Sequence, residues 1–256
     1  MPRIVGWNIR AGGGKRVHQL LRAIGRWKPD VVVLSEFRGT PPSHALARSL
    51  RRRGLGHQLT TATNDKPARN ALLLASRYPM ELKDGPSVED SCRALTADLH
   101  IGPPHHPQSL RITGIHIPNR VTGRKYGFFD AVVDYVRSLD PTVPTLLVGD
   151  TNSGRRGIDE ESSAFNLREE AWFDDLNKHG FQDMFRAVHG ARPAYTWYSP
   201  NGDNGFRLDQ AFANASMAAR VTHVTHRWGG GHRRTGVSDH AAVLVDIDDL
   251  PASPKP

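Results

Sequence analysis

Short apolar runs that end on a polar residue are the feature that most constrains this fold. The segments VVVL (31–34, followed by Ser35 and Glu36), ALLLAS (71–76) and TLLVGD (145–150) are almost wholly apolar up to the polar residue that ends each run. A continuous run of this kind predicts a strand that is covered on both faces. Several covered strands in one chain need other layers above and below them, which predicts stacked sheets with helices outside.

Helical periodicity alternates with these runs along the chain. Apolar residues recur at helical spacing in 15–27, and segments 126–139 and 161–180 are predicted as two further helices. The remaining strands are predicted at 3–9, 94–101, 109–117, 195–198, 207–213, 219–226 and 241–247. This order predicts an α/β fold of two layered sheets flanked by helices. We expect a single domain over residues 1–248 and a flexible tail at 249–256.

The charge balance narrows the possible partners. The 256-residue chain carries a formal charge of +8 and has a pI near 10.0, which favours polyanions such as nucleic acid or anionic lipid head groups. The segments RSLRRRG (48–54) and GGGHRRTG (229–236) place cations beside glycine, which predicts loops that contact a phosphate backbone. A soluble protein that is basic without binding a polyanion is the alternative.

Cysteine content and hydropathy bear on the cellular compartment. The single cysteine, Cys92, excludes an intrachain disulfide and an all-cysteine metal site. No apolar run approaches the roughly 20 residues that a membrane-spanning helix needs. Residues 1–10 lack the apolar region of a secretory signal and are predicted as the first strand. We therefore expect a cytoplasmic protein without a membrane span, and no feature of the sequence implies an obligate protein partner.

Polar side chains stand where the predicted strands end. They are Asn8, Glu36, His116, Asp150 with Asn152, Asp209, and the pair Asp239–His240 before the last strand. Each one alone is consistent with a turn, a surface ion pair or a hydrogen-bonded core residue. Together they predict one site, because functional sites of layered α/β folds collect at strand ends.

The chemistry of this set favours a hard cation. Carboxylate and amide oxygens are the ligands that Mg²⁺ prefers in proteins. The chain has no HExxH motif, no CxxC pair and no EF-hand loop, which disfavours zinc by those motifs and EF-hand calcium. It also lacks a phosphate-binding P-loop and a GxSxG nucleophile elbow.

Five motifs in order resemble the endonuclease/exonuclease/phosphatase superfamily, whose fold is that of deoxyribonuclease I. They are GWNIR (6–10), PDVVVLSE (29–36), GDTN (149–152), RLDQAF (207–212) and VSDH (237–240). The resemblance implies a four-layered α/β sandwich of two packed mixed β-sheets flanked by helices. It also implies hydrolysis of a phosphoester that depends on a divalent metal, Mg²⁺ or Mn²⁺.

The resemblance implies roles for the residues around the metal. Glu36 corresponds to the principal metal ligand, with Asn8 and Asp239 near it. Asp150 corresponds to the residue that orients or deprotonates the attacking water. Asn152 corresponds to the residue that holds the phosphate or that water.

Further roles follow for the histidines. His240 would contact the phosphate and transfer a proton, while Asp209 orients its ring. The segment GIHIPNR (114–120) places His116 where AP endonucleases have a tyrosine and deoxyribonucleases have a second histidine. The deoxyribonuclease histidine pairs with an upstream glutamate, but KPARNALLLAS (66–76) offers no carboxylate.

Other positions correspond to residues that contact DNA. Asn119 matches an asparagine that contacts phosphate, and Phe206 matches an aromatic residue beside the abasic-sugar pocket of AP endonucleases. Arg10 and Arg38 match arginines that contact DNA in deoxyribonuclease, and the Arg233–Arg234 pair would also lie along the backbone.

The sequence therefore predicts a metal-dependent phosphodiesterase that cleaves nucleic acid, most simply a DNA endonuclease or a repair enzyme similar to AP endonuclease and exonuclease III. One alternative is an enzyme of the same superfamily that acts on a nucleotide, a phosphoinositide or a phospholipid. A second alternative is a DNA-binding protein without catalytic activity.

Overall fold

The computed structural model of the chain describes residues 1–101, 108–231, 233 and 236–248. Arg234 and the tail expected at 249–256 lie outside the described residues. The strands are β1 Arg3–Asn8, β2 Val31–Phe37, β3 His57–Thr60, β4 Ala71–Ser76, β5 Met80–Lys83, β6 Ala94–Ile101, β7 Gln108–His116, β8 Thr145–Asp150, β9 Gln182–Asp183, β10 Trp197–Tyr198, β11 Gly205–Phe206, β12 Asp209–Ala213, β13 Val221–Arg227 and β14 Ala242–Ile247. The helices are α1 Val17–Trp27, α2 Pro41–Arg52, α3 Lys125–Ser138, α4 Leu167–Lys178, α5 Met184–His189 and α6 Ala215–Ala218, with short 3₁₀ turns at Gly14–Arg16, Ser91–Arg93 and Arg120–Thr122.

Two mixed sheets form the centre of the molecule. The first has the strand order β13-β14-β1-β2-β4-β3, and the second has the order β5-β6-β7-β8-β12-β9. The pairs β1–β2 and β7–β8 are parallel, whereas their outer neighbours are antiparallel. The short strands β10 and β11 form a separate antiparallel pair.

Apolar side chains join four layers. Ile4, Val33, Ile112, Val148 and Val243 belong to the core between the sheets. A second core lies under α1 and α2, and a third lies under α3 and α4. The order of layers is therefore helices, first sheet, second sheet, helices, as the sequence predicts.

The two sheets approach closely where β1 crosses β8. A β-carbon added to Gly6 would lie 2.5 Å from Cγ2 of Val148. A larger residue at position 6 would push the sheets apart, so glycine sets their spacing here. This crossing lies two residues before Asn8 and two residues before Asp150.

Several predicted boundaries are confirmed, and two predictions are wrong. Strands β4, β6 and β8 have the bounds read from the sequence. The helix expected at 161–180 begins only at Leu167, because Asn166 and Glu169 form a capping box. The predicted loop at 48–54 is largely the end of α2, whose entry is favoured by prolines in its first turn.

None of the described helices is both long enough and apolar enough to cross a membrane.

A buried ion network fixes the entry to β12. The guanidinium of Arg207 is fully buried and pairs with Asp159 at 2.8 Å and with Asp183. Arg186 contacts the same Asp159 carboxylate. Burial lowers the pKa of Arg207, but the two carboxylates outweigh it and raise that pKa. The network holds the chain two residues before Asp209.

We predict that Arg207→Met lowers the free energy of unfolding by about 3–5 kcal/mol, because the Asp183 carboxylate loses its charged partner and buried Asp159 keeps only Arg186. The control is Arg168→Met, which breaks an ion pair with Asp130 whose side chains are 55% and 62% exposed. That change should cost about 0–1 kcal/mol. Urea denaturation measures both values, and equal small losses would contradict a stabilising role for the Arg207 network.

Candidate active site

Strand register brings the polar strand ends together. His116 on β7 and Asp209 on β12 are both paired with Asp150 on β8. Asn8, at the end of β1 in the other sheet, donates from Nδ2 to Asp150 Oδ2 at 2.9 Å. The candidate site therefore spans the ends of both sheets.

Nitrogen atoms surround one oxygen of Asp150. The Nε2 atoms of His116 and His240 lie 3.8 and 3.9 Å from Asp150 Oδ2, which also accepts the Asn8 hydrogen bond. Burial raises the pKa of Asp150 to about 6, His240 opposes this shift, and Asp209 adds to it. The carboxylate is thus a proton acceptor of moderate strength within reach of two imidazoles.

His240 forms a charged pair with Asp209. Nδ1 of the ring lies 2.8 Å from Asp209 Oδ2, and both residues are buried. Burial lowers the pKa of His240, but Asp209 and Asp150 reverse that effect and raise it to about 10. The hydroxyl of Thr196 accepts hydrogen bonds from the backbone N–H groups of Leu208 and Asp209, which fixes the start of β12. The imidazolium therefore presents Nε2–H beside Asp150.

Glu36 lies at a strained point of β2. Its φ angle of 55° is left-handed, and the pairing of β2 with β4 shifts at this residue. Oε1 accepts from Asn8 Nδ2 at 3.2 Å, and Oε2 accepts from the backbone N–H of Ala11 at 2.6 Å. Arg10, Ala11 and Asn152 also have left-handed φ angles, of 54°, 51° and 49°. Such strain on non-glycine residues is concentrated where function fixes the backbone.

The donor set fits a divalent cation. Ligand atoms of Asp150, Asp209 and His240 lie within 4.8 Å of one another, and His240 would ligate only after losing a ring proton, so the two carboxylates are the better donors. No described residue donates a hydrogen bond to the buried Oδ1 of Asp209. Asn8 links Glu36 to this group, because its side-chain amide donates hydrogen bonds to both Glu36 and Asp150. Buried carboxylates this close repel one another, so a bound cation would stabilise them.

The predicted metal ligand Asp239 lies at the rim of the site. Its carboxylate is 31% exposed and lies 3.9 Å from Nε of Arg10. The tight cluster of possible ligands found among the described residues does not include it. Its assignment as a ligand stays a prediction.

His116 has a partner that the sequence did not reveal. Nη1 of Arg93 lies 3.1 Å from Nδ1 of His116, and Asp90 binds Arg93 at 3.1 Å and Arg69 at 2.6 Å. A guanidinium can only donate, so Nδ1 is the acceptor and the proton of the neutral ring is on Nε2. Burial, Arg93 and His240 all lower the pKa of His116 well below its ordinary value. Arg93, which is held by Asp90, therefore contacts His116 where the resemblance to deoxyribonuclease implies a glutamate.

A buried lysine supports Asn152, and sequence reasoning did not identify it. Nζ of Lys125 donates to the backbone oxygen of Asn152 at 2.6 Å and pairs with Glu169. The Asn152 side chain donates to the backbone oxygen of Ile117 at 2.8 Å. Position 125 falls just before the apolar stripe of α3, so its pattern resembles that of an ordinary surface lysine. Only the packing of α3 against α4 identifies it.

The predicted substrate contacts occupy different surroundings. Asn119 and Arg10 are exposed, and Arg38 donates to Asn70 at 2.8 Å. The Asn119 amide group makes no hydrogen bond within the described part of the chain. Phe206 is buried, 6.0 Å from the ring of Trp197, which in turn lies 6.5 Å from the ring of His240. Trp197 is therefore a further aromatic residue beside the site.

Comparison with known proteins relates this site to a family. The sequence profile described as the Endonuclease/Exonuclease/phosphatase family matches residues 5–240. Exodeoxyribonucleases of two Streptococcus pneumoniae strains are each 30% identical to the chain over 156 residues. That alignment covers 54% of this chain and 55% of each relative, so the match spans about half the length of these curated proteins.

Solved structures share the fold over nearly the whole chain. An AP endonuclease from Archaeoglobus fulgidus superposes with a TM-score of 0.80 at 20% identity, covering 97% of this chain and 100% of that chain. A 3′-5′ exonuclease from Neisseria meningitidis gives 0.78 at 21% identity, covering 96% and 99%. A 3′ phosphatase from Neisseria bound to product DNA hairpin gives 0.76 at 21% identity, covering 97% and 100%.

These superpositions confirm the predicted four-layered sandwich with the fold of deoxyribonuclease I. The matching profile extends from β1 to His240 and includes every polar strand end described above. The chain therefore belongs to the Endonuclease/Exonuclease/phosphatase family.

Proposed function

We propose that this protein hydrolyses phosphodiester bonds of DNA with the help of Mg²⁺ or Mn²⁺, as a repair nuclease or endonuclease. The observation that carries the proposal is the surroundings of Asp150, a buried carboxylate between the Asp209–His240 pair and the Nε2–H of His116. The names of the curated relatives and the net charge of +8 favour DNA as the substrate. The single buried cysteine, Cys92, suits a reducing compartment, and we propose the cytoplasm.

Each residue of the site has a distinct task in this proposal. Asp150 orients a water molecule and accepts its proton, which its raised pKa favours. His240 donates Nε2–H to a phosphate oxygen, and Asp209 keeps its ring oriented and charged. Asn152 holds the water or the phosphate from the adjoining turn.

Glu36, with Asn8 and Asp239, would hold the metal ion. When bound there, the cation neutralises the phosphodiester and stabilises the charge that develops in the transition state. Glu36 is suited to this task because strained backbone and two hydrogen bonds fix its carboxylate.

The aromatic surface beside His240 favours an abasic site as the substrate. The half-buried ring of Trp197 lies 6.5 Å from the ring of His240, and buried Phe206 packs against Trp197. A deoxyribose without a base could pack on that surface while its phosphate faces His240. Cleavage of abasic duplex, intact duplex and single strands, with and without Mg²⁺ or Mn²⁺, tests this choice, and equal rates on all three would contradict it.

We predict that Glu36→Ala weakens Mg²⁺ and Mn²⁺ binding at least tenfold in titration calorimetry and abolishes cleavage. Glu81→Ala is the control, because Glu81 is an exposed carboxylate on β5. It should leave both values unchanged. Full metal affinity in the Glu36 variant would place the cation elsewhere.

We predict that Asp150→Asn lowers kcat by about 10²–10⁴-fold, the usual range for loss of a general base, while DNA affinity stays within about threefold. Asparagine keeps the shape of the side chain but accepts no proton. Asp134→Asn, at an exposed position of α3, is the matched control. Steady-state kinetics and fluorescence anisotropy measure the two effects, and an active Asp150 variant would remove the base assignment.

We predict opposite charge states for the two histidines of the metal-free protein at pH 7. His240 has a raised pKa of about 10, so it stays protonated until the pH rises toward that value. His116 has a lowered pKa and stays neutral down to acidic pH. Nitrogen-15 NMR of the imidazoles should show His116 protonated only on Nε2 between pH 6 and 8. A His116 that titrates in this range would contradict the role of Arg93, and Arg93→Met should bring its titration closer to that range.

A further inference from the structure

The two outer helix layers differ in charge. Helices α1 and α2, on the first sheet, carry five arginines and no acidic residue: Arg22, Arg26, Arg48, Arg51 and Arg52. On the opposite side, α3 and α4 mix four cations with six carboxylates. The first acidic residue of the chain is Asp30, after α1 has ended. The excess positive charge is therefore concentrated on the α1–α2 side of the molecule.

A groove of about 420 Å³ runs along α1 on this side. Arg16, Arg22 and Arg26 line one wall, and the glycines Gly229–Gly231 line the other. No acidic side chain of the described residues lines it. Gly230 and Gly231 have φ angles of 114° and 79°, which side chains rarely adopt, so this wall stays open backbone.

Two arginines of the groove, Arg22 and Arg26, make few contacts with the rest of the described fold. Arg22 is exposed and makes no hydrogen bond or ion pair within the described residues. Arg26 donates one hydrogen bond, to the backbone oxygen of Gly229 at 2.7 Å, and keeps its remaining donors. Unneutralised guanidinium groups that face a backbone wall are suited to bind an anion with several oxygens.

The groove begins beside the candidate active site. Arg16 donates to the backbone oxygens of Ile9, Arg10 and Val237. It thus joins the turn after β1 to the segment that leads into Asp239. From Arg16 to Arg26 the helix advances about 15 Å, at 1.5 Å per residue. Along the axis of a duplex each strand carries one phosphate per about 3.4 Å, so a duplex aligned with α1 would present roughly four phosphates of one strand over this length.

We propose that this groove is an extended binding site for the phosphodiester backbone of the substrate, to one side of the bond that is cleaved. The proposal rests on the proposed function and adds where the flanking strand lies. None of the described residues that line the groove is aromatic, so they offer bases no stacking surface. Recognition would depend on the backbone and be indifferent to base sequence.

The experiment compares Arg22→Gln and Arg22→Gln/Arg26→Gln with Arg137→Gln/Lys178→Gln, which removes two exposed cations from α3 and α4 outside the groove. Binding of fluorescent duplexes is measured by anisotropy over a range of KCl, in an Asp150→Asn background that is not expected to cut. The duplexes extend 2 or 12 nucleotides beyond the target bond, on either side. Cleavage in the unmodified background supplies KM and kcat.

We expect the groove double variant to bind the duplex that is long on one particular side about tenfold more weakly. The slope of log Kd against log salt should fall by about two, near one for each phosphate that an arginine no longer neutralises. Duplexes that are short on that side should bind as they do to the parent, and kcat should not change. Arg22→Gln alone should show about half the slope change, and it keeps the Arg26 bond to the loop.

Other outcomes overturn the proposal. They are an equal loss in the α3–α4 control, an equal loss on short duplexes, or no loss at all. Loss of binding to vesicles of anionic phospholipid without loss of DNA binding would assign the groove to a membrane surface instead. Because affinity is read without cleavage, an enzyme that binds DNA through the groove but cuts none would refute the proposed function and leave the groove supported.

Discussion

The hydrogen bond from Asn8 to Asp150 is the contact on which the geometry of the site depends, because it links the ends of the two sheets. Each sheet alone would present only part of the polar set. The bond forms because Gly6 lets β1 cross β8 closely. The Asn8 amide also donates a hydrogen bond that favours the ionised form of Asp150, against the effect of burial on its pKa. Packing of the sheets and the chemistry of Asp150 are therefore set by the same few atoms.

The polar groups around Asp150 form two opposed electrostatic environments. On one side Asp209 supports a charged His240, and on the other Arg93 supports a neutral His116. The same residue type thus supplies a cation and a neutral donor within 4 Å of one oxygen. Two chemically similar rings acquire different functions because one faces a carboxylate and the other a guanidinium.

Much of the fold could be predicted from the sequence, because the buried strands are continuous apolar runs. Strands such as β4 and β8 were delimited correctly since apolar burial and polar ends mark them directly. Helix α2 was missed because its arginines and paired prolines obscure the helical period. The sequence does not indicate roles for Arg93 and Lys125, because their partners lie 23 and 44 residues away and only the tertiary structure brings them into contact.

The uneven charge of the two helix layers has a consequence for encounter with a partner. A molecule with arginines on one flank and mixed charge on the other has an electric dipole across its layers. The field of a polyanion would orient such a molecule before contact. A larger fraction of collisions would then be productive than for a molecule without a dipole. Added salt, which shortens the reach of that field to about 8 Å at physiological strength, would slow capture as well as weaken the bound complex.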